Sequence, residues 1–200
     1  MPFSRSRGSF PCPTQLPVPR RHITAAFRSI FPPRRCAALF LEYVDTDSTP
    51  EHSTAADFID RALFTYERAF VGSFNFTSGL NRLDFDRVEN RPFFLAVHRQ
   101  ISDLQRRGCV RTAFEFARLL YSLDPATDPH GALLHLDYLS IKAGMSDWLI
   151  ELWRAQCNLP DDSWKGRMHV RALPGFAYSR ALALFLKEES KHDAVRVFST

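Results

Sequence analysis

From Thr54 onward, apolar and polar positions alternate with the 3.6-residue period of helices packed on one side. Phe58, Ile59, Ala62, Leu63, Tyr66 and Phe70 recur at that spacing, and Thr54 with Asp57 forms a T-x-x-D capping box at the start. Pro92 suits the first position of a second helix. Its buried stripe is Phe94, Val97, Ile101 and Leu104, and Gly108 ends it. A third helix is predicted over 111–123, with Ala113, Phe116, Ala117, Leu120 and Leu123 on one side. The small residues at 113 and 117 let two helices approach closely. Asp124-Pro125 stops it, because the residue before a proline is driven out of the helical region. Asp128 as N-cap and Pro129 at the first helical position predict a fourth helix, closed by Gly144. Ser146 caps a fifth that carries Leu149, Leu152 and Trp153, and a sixth runs over 174–187.

The intervals differ in kind. Residues 71–92 carry Phe74, Phe76, Leu80, Leu83 and Phe85, too much apolar surface for a solvated linker, so this connector is expected to pack on the helices. Residues 158–171 are a polar interruption. Apolar residues return at 194–198 with nothing downstream to pair with, which reads as a repeat array cut short. Before residue 51 the helical period is lost. Pro2, Pro11, Pro13, Pro17, Pro19, Pro32 and Pro33 each remove a backbone donor, and 36–44 is an apolar stretch whose type periodicity does not decide. The expectation is an all-α fold of paired helical hairpins, a tetratricopeptide-like α-solenoid over 51–200, behind a disordered leader at 1–50.

Charge changes this picture in one respect. The chain is formally +4, yet seven of its 26 basic residues lie in 1–41 beside no acid, leaving 19 against 22 acidic residues in the remainder. The helical part is therefore mildly acidic, and nucleic acid is expected to meet it only indirectly or weakly through the Arg-rich leader. That leader is Arg-rich and acid-free like a transit peptide, but its proline density conflicts with the amphipathic helix such peptides form. No apolar run approaches the ~20 residues that cross a bilayer, so no membrane partner is expected.

Catalytic patterns are missing. The chain has no Gly-x4-Gly-Lys-Ser/Thr loop and no Gly-x-Gly-x-x-Gly, so no cofactor is expected. Cys12, Cys36, Cys109 and Cys157 form no C-x-x-C pair and read as free thiols. Cys109 at a helix start could serve as a nucleophile but lacks an adjacent base, so a buried small residue is the reading taken. His130 and His135 lie five apart, off the i,i+4 spacing of a metal pair, and read as surface or core-edge histidines rather than metal ligands. Asp84/Asp86 and Asp161/Asp162 read as turn formers rather than an acid/base couple. Asn75-Phe76-Thr77 is a glycosylation sequon with no secretory signal to deliver it. Arg106, Arg107 and Arg111 cluster at the Gly108 turn, as a partner contact or simply a solvated corner. No enzyme is expected.

Three runs carry a resemblance. They are Asn90-Arg91-Pro92-Phe93, then Arg107-Gly108-Cys109-x-Arg111-Thr112-Ala113-x-Glu115, then Ser122-Leu123-Asp124-Pro125-x-x-Asp128-Pro129. Flanking agreement comes from Leu149-Ile150-Glu151-Leu152-Trp153 and Leu173-Pro174-x-Phe176-Ala177-Tyr178-Ser179. Together, over 54–186, they resemble the transcription factor 25 family, which includes subunit 1 of the ribosome quality control complex. The resemblance implies a non-catalytic helical adaptor on the large ribosomal subunit, assisting a quality-control ubiquitin ligase in degrading stalled nascent chains. It implies a ribosome-associated, cytoplasmic location. The older family name implies the alternative, a nuclear transcription repressor. Residues 1–50 match nothing in that pattern.

Overall fold

The computed structural model describes residues 52–70, 81–158 and 169–187. Six α-helices fall within them: α1 His52–Phe70, α2 Arg91–Arg106, α3 Val110–Leu123, α4 Ala132–Lys142, α5 Ser146–Cys157 and α6 Pro174–Leu186. A 3-10 turn at Val170–Ala172 leads into α6, and no strand occurs among the described residues. The all-α expectation therefore holds there. The leader at 1–50 with Cys12 and Cys36, the connector residues Phe74, Phe76 and Leu80, the sequon at Asn75, Asp161/Asp162 and the stretch 194–198 lie outside the described residues.

Consecutive helices pack on each other, α1 on α2, α2 on α3 and α3 on α4, while α6 closes over both α4 and α5. The core they share is aromatic and aliphatic. Phe93, Phe94, Phe114, Tyr121, Leu136, Leu139, Leu149, Leu152 and Phe176 are among its large fully buried side chains. Burying each contributes roughly 1.5–3 kcal/mol, which is what holds helices of 11–19 residues that would be marginal alone. Tilted and edge-on ring pairs tie elements together: Tyr66 with Phe93 at 5.1 Å, Phe85 with Phe94 at 5.4 Å and Phe114 with Trp148 at 5.1 Å. Gln156 donates from its amide to the Tyr121 hydroxyl, so both of these buried polar groups on α5 and α3 have a partner. The connector packs as expected where it is described: Leu83 is buried and Phe85 lies against the core.

Two of the turns are the same motif. At the end of α2, Cys109 N–H donates to Leu104 C=O at 2.9 Å and Gly108 N–H to Gln105 C=O at 3.1 Å. At the end of α4, Met145 N–H donates to Ser140 C=O at 2.7 Å and Gly144 N–H to Ile141 C=O at 3.0 Å. These are Schellman caps, which need a left-handed residue at the first position past the cap. Glycine fills it both times, with φ +77° at Gly108 and +70° at Gly144. The next helix starts two residues later in each case, and the two glycines are 36 positions apart.

Four expectations need correcting. The fourth helix begins at Ala132, not at Pro129, and Gly131 rather than Asp128 is its N-cap residue. Asp128 still caps it from a distance, accepting from Ala132 N–H at 2.7 Å and Leu133 N–H at 3.1 Å, because its left-handed φ of +40° turns the carboxylate onto the helix end. Ser146 is the first residue of α5 instead of its cap, which is Met145. On α3 the fully buried phenylalanine is Phe114, while Phe116 is only partly covered. A helix packed on neighbours at two sides buries a wider arc than a single stripe predicts. Thr54 lies inside α1 and is no N-cap there.

Candidate interaction surface

The basic corner forms where α2 hands over to α3. Arg106 and Arg107 end α2 and begin its cap, and Arg111 is the second residue of α3, so the tight Gly108 turn sets them around one bend. Their states differ. Arg107 Nε sits 2.9 Å from Oδ2 of the buried Asp103, one helical turn back, which holds it against α2. Arg111 Nε is 3.8 Å from Glu115, and Glu115 is held closer, at 2.9 Å, by Arg118. Arg118 in turn lies over the rings of Phe114 and Trp148, 5.7 Å from each. Arg111 is thus the most available cation of the α3 ion pairs, with 64% of its side chain exposed.

Beside it runs an open groove of about 320 Å³ lined by Arg111, Thr112, Glu115, Phe116 and Leu119. Its floor is Phe116 and Leu119, which are partly buried and packed against the core. A guanidinium at one end and an apolar floor suit an apolar side chain with an acidic neighbour. A second apolar surface lies on α6, where Tyr178, Leu182, Phe185 and Leu186 are exposed at i, i+4, i+7 and i+8.

Cys109, expected to be buried, is exposed at this corner, because it occupies the cap between two helices instead of a packed position. Cys157 is a free thiol whose Sγ accepts from Arg171 Nε at 3.3 Å. Asp84 forms the turn expected of it, accepting from Asp86 N–H at 3.1 Å. His130 and His135 are half-buried at the core edge, where sequence placed them, and meet a third imidazole, His98 of α2. Nothing in the spacing links His98 to the other two, since the contact is made by folding alone. Among the described residues no three histidine, cysteine or carboxylate side chains converge as a metal site. No described helix is long and apolar enough to cross a membrane.

The described residues thus form an all-helical protein with an open groove on α3 and an exposed apolar stripe on α6. The family described as transcriptional repressor TCF25 matches residues 43–198, and the chain belongs to that family. It is 62% identical over 153 residues to a probable transcription factor, claV, of Ampulloclitocybe clavipes, covering 75% of this chain and 20% of that protein. It is 41% identical over 136 residues to the human ribosome quality control complex subunit TCF25, covering 68% and 19%. Ribosome quality control complex subunit 1 of Schizosaccharomyces pombe is 31% identical over 139 residues, covering 70% and 20%. The chain spans about a fifth of the length of these relatives. No solved structure matches it.

Proposed function

We propose that this chain is a non-catalytic helical scaffold of ribosome-associated quality control. It is recruited to the large ribosomal subunit and helps a ubiquitin ligase act on stalled nascent chains, in the cytoplasm. The observation that carries this reading is its 41% and 31% identity to relatives named as ribosome quality control subunits in human and fission yeast. The twin Schellman turns 36 residues apart support a scaffold of repeated helical hairpins, since an array of such units presents extended surface instead of a pocket. Arg106, Arg107 and Arg111, with the groove beside them, are the partner contact, and 1–50 is a leader separate from the helical domain at 51–200.

The test is sucrose-gradient sedimentation of the tagged chain from cells with and without a stalling reporter. Enrichment in large-subunit fractions on stalling is the expected result. Absence from them, with a full-length family member present as control, would defeat the proposal that this segment carries recruitment. A second reading, a nuclear repressor acting through protein contacts or DNA binding, is favoured by the family description and the name of the 62% identical relative. Under it the chain would accumulate in nuclei and leave ribosomal fractions unchanged.

A further inference from the structure

Three imidazoles meet where α2, α4 and the loop between α3 and α4 come together. His98 stacks with His130 at a centroid distance of 5.4 Å and stands edge-on to His135 at 5.2 Å. Nε2 of His98 and Nε2 of His135 are 3.3 Å apart. On the far side of His135, the Gln105 amide nitrogen is 3.4 Å from Nδ1.

One placement of the protons satisfies these contacts with the Gln105 amide nitrogen facing His135. With the Gln105 amide so oriented its nitrogen can only donate, so His135 Nδ1 accepts and the His135 proton sits on Nε2. That N–H donates to a bare Nε2 on His98, whose own proton is left on Nδ1. The chain has no room for another proton. Added at His98 Nε2, it would point one N–H at another across 3.3 Å with no acceptor between. His98 Nδ1 and His130 Nε2 are already buried without hydrogen-bond partners, so neither gives a cation an outlet.

We propose that the cluster is a proton-operated clasp, which joins α2 to α4 while its imidazoles are neutral and releases that seam on acidification. The groups facing it come from every element around it. From α2, Arg99 adds positive charge beside His98 and His130. From the loop and α4, Asp128 and Asp137 favour a charged His135, but each carboxylate is already accepting backbone N–H groups, Asp128 at Ala132 and Leu133 and Asp137 at Tyr138. From the connector, the uncharged ring of Phe85 lies perpendicular to His130 at a centroid distance of 5.6 Å.

Burial, and then the charges of His135, His130 and Arg99, lower His98 to about 4, and burial lowers His130 and His135 as well. A folded-state value below the unfolded one near 6.5 gives stability that is complete above 6.5 and lost as pH falls toward 4. Burial raises the Asp128 and Asp137 carboxyls, so their contribution runs the other way. A comparison at matched pH between the wild-type chain and a His98 variant removes their share.

The experiment is urea unfolding of the 200-residue chain and of His98→Phe at pH 7.5 and 5.0, with a histidine ring titration by NMR. Going to pH 5.0 should shift the wild-type unfolding constant about tenfold more than that of the variant, after allowing for the half-exposed ring. The His98 ring should titrate well below 6.5 and lose its contact with His135 as it does. Equal pH slopes in the two chains would overturn the proposal. Should the variant not fold, a wild-type His98 midpoint at or above 6.5 would overturn it equally well.

Discussion

The two helical hairpins share one turn and differ in how their helices meet. α2–α3 and α4–α5 are both joined by a glycine-based Schellman cap, yet α2 and α3 make a far more extensive contact than α4 and α5 do. Side-chain size differs in parallel. Ala113 and Ala117 of α3 are both fully buried, whereas Leu149 and Trp153 stand 36 positions later in α5, with Trp153 stacked on Phe176 of α6. Small residues let two backbones close up, while large ones hold them apart and fill the gap with their own volume. α4 accordingly finds most of its contact on α3 and α6 instead. A common turn fixes connectivity, and the residues after it fix spacing.

Breaking the second hairpin should cost the most. Leu149 is fully buried, so Leu149→Ala leaves a cavity and should destabilise the chain by about 3 kcal/mol in urea unfolding. A loss under ~1 kcal/mol would mean that α5 packs loosely and that the spacing argument fails there. The reciprocal change, Ala113→Leu, gives the first hairpin the residue of the second. It should destabilise by about 2 kcal/mol through overpacking, and unchanged thermal unfolding would show that the α2–α3 approach does not depend on Ala113.

The turns themselves are expected to behave alike. No neighbouring atom lies within 4 Å of a Cβ added at Gly108 or Gly144, so steric contact contributes nothing, and both have positive φ. Gly108→Ala and Gly144→Ala should each cost about 1 kcal/mol, the left-handed penalty of an L-residue. Losses differing by more than roughly that amount would show that the two turns are not equivalent, despite matching hydrogen bonds.

Much of this scaffold is legible in the sequence because its punctuation is chemical. Gly108, Gly144, Pro92, Pro174 and Asp124-Pro125 mark helix ends by what their backbones cannot do, and five of the six helices start or stop within a few residues of such a mark. What stayed hidden depends on neighbours. Phe114 and Phe116 are two apart on α3, and which is sealed depends on Trp148 of another helix. The Asp128 cap requires a left-handed residue that is not glycine, a conformation the sequence gives no reason to expect. The three-histidine cluster draws on residues 32 and 37 positions apart, His98 with His130 and His135. The basic corner was visible as three arginines, but not that Arg107 is committed to Asp103 and Arg111 is exposed.

That last distinction gives the smallest stability effect and the sharpest functional one. Arg111→Ala removes a 3.8 Å contact to Glu115, which keeps its 2.9 Å partner Arg118, so unfolding should change by less than about 0.5 kcal/mol. Arg107→Ala exposes the buried Asp103 carboxylate to the loss of its ion pair and should cost more, about 1–3 kcal/mol. The counterpart at the second turn, Lys142→Ala, removes an exposed cation that lies 5.6 Å from the Tyr138 ring and does not line the groove beside Arg111. If the corner is the partner contact, Arg111→Ala should lower the share of the chain in large-subunit fractions with melting unchanged, and Lys142→Ala should not. Equal retention of both variants would move the contact off this corner. The exposed stripe of Tyr178, Leu182, Phe185 and Leu186 on α6 would then be the surface to mutate next, since it carries four large exposed apolar side chains along one helix face, more than the pair Leu134 and Tyr138 on α4.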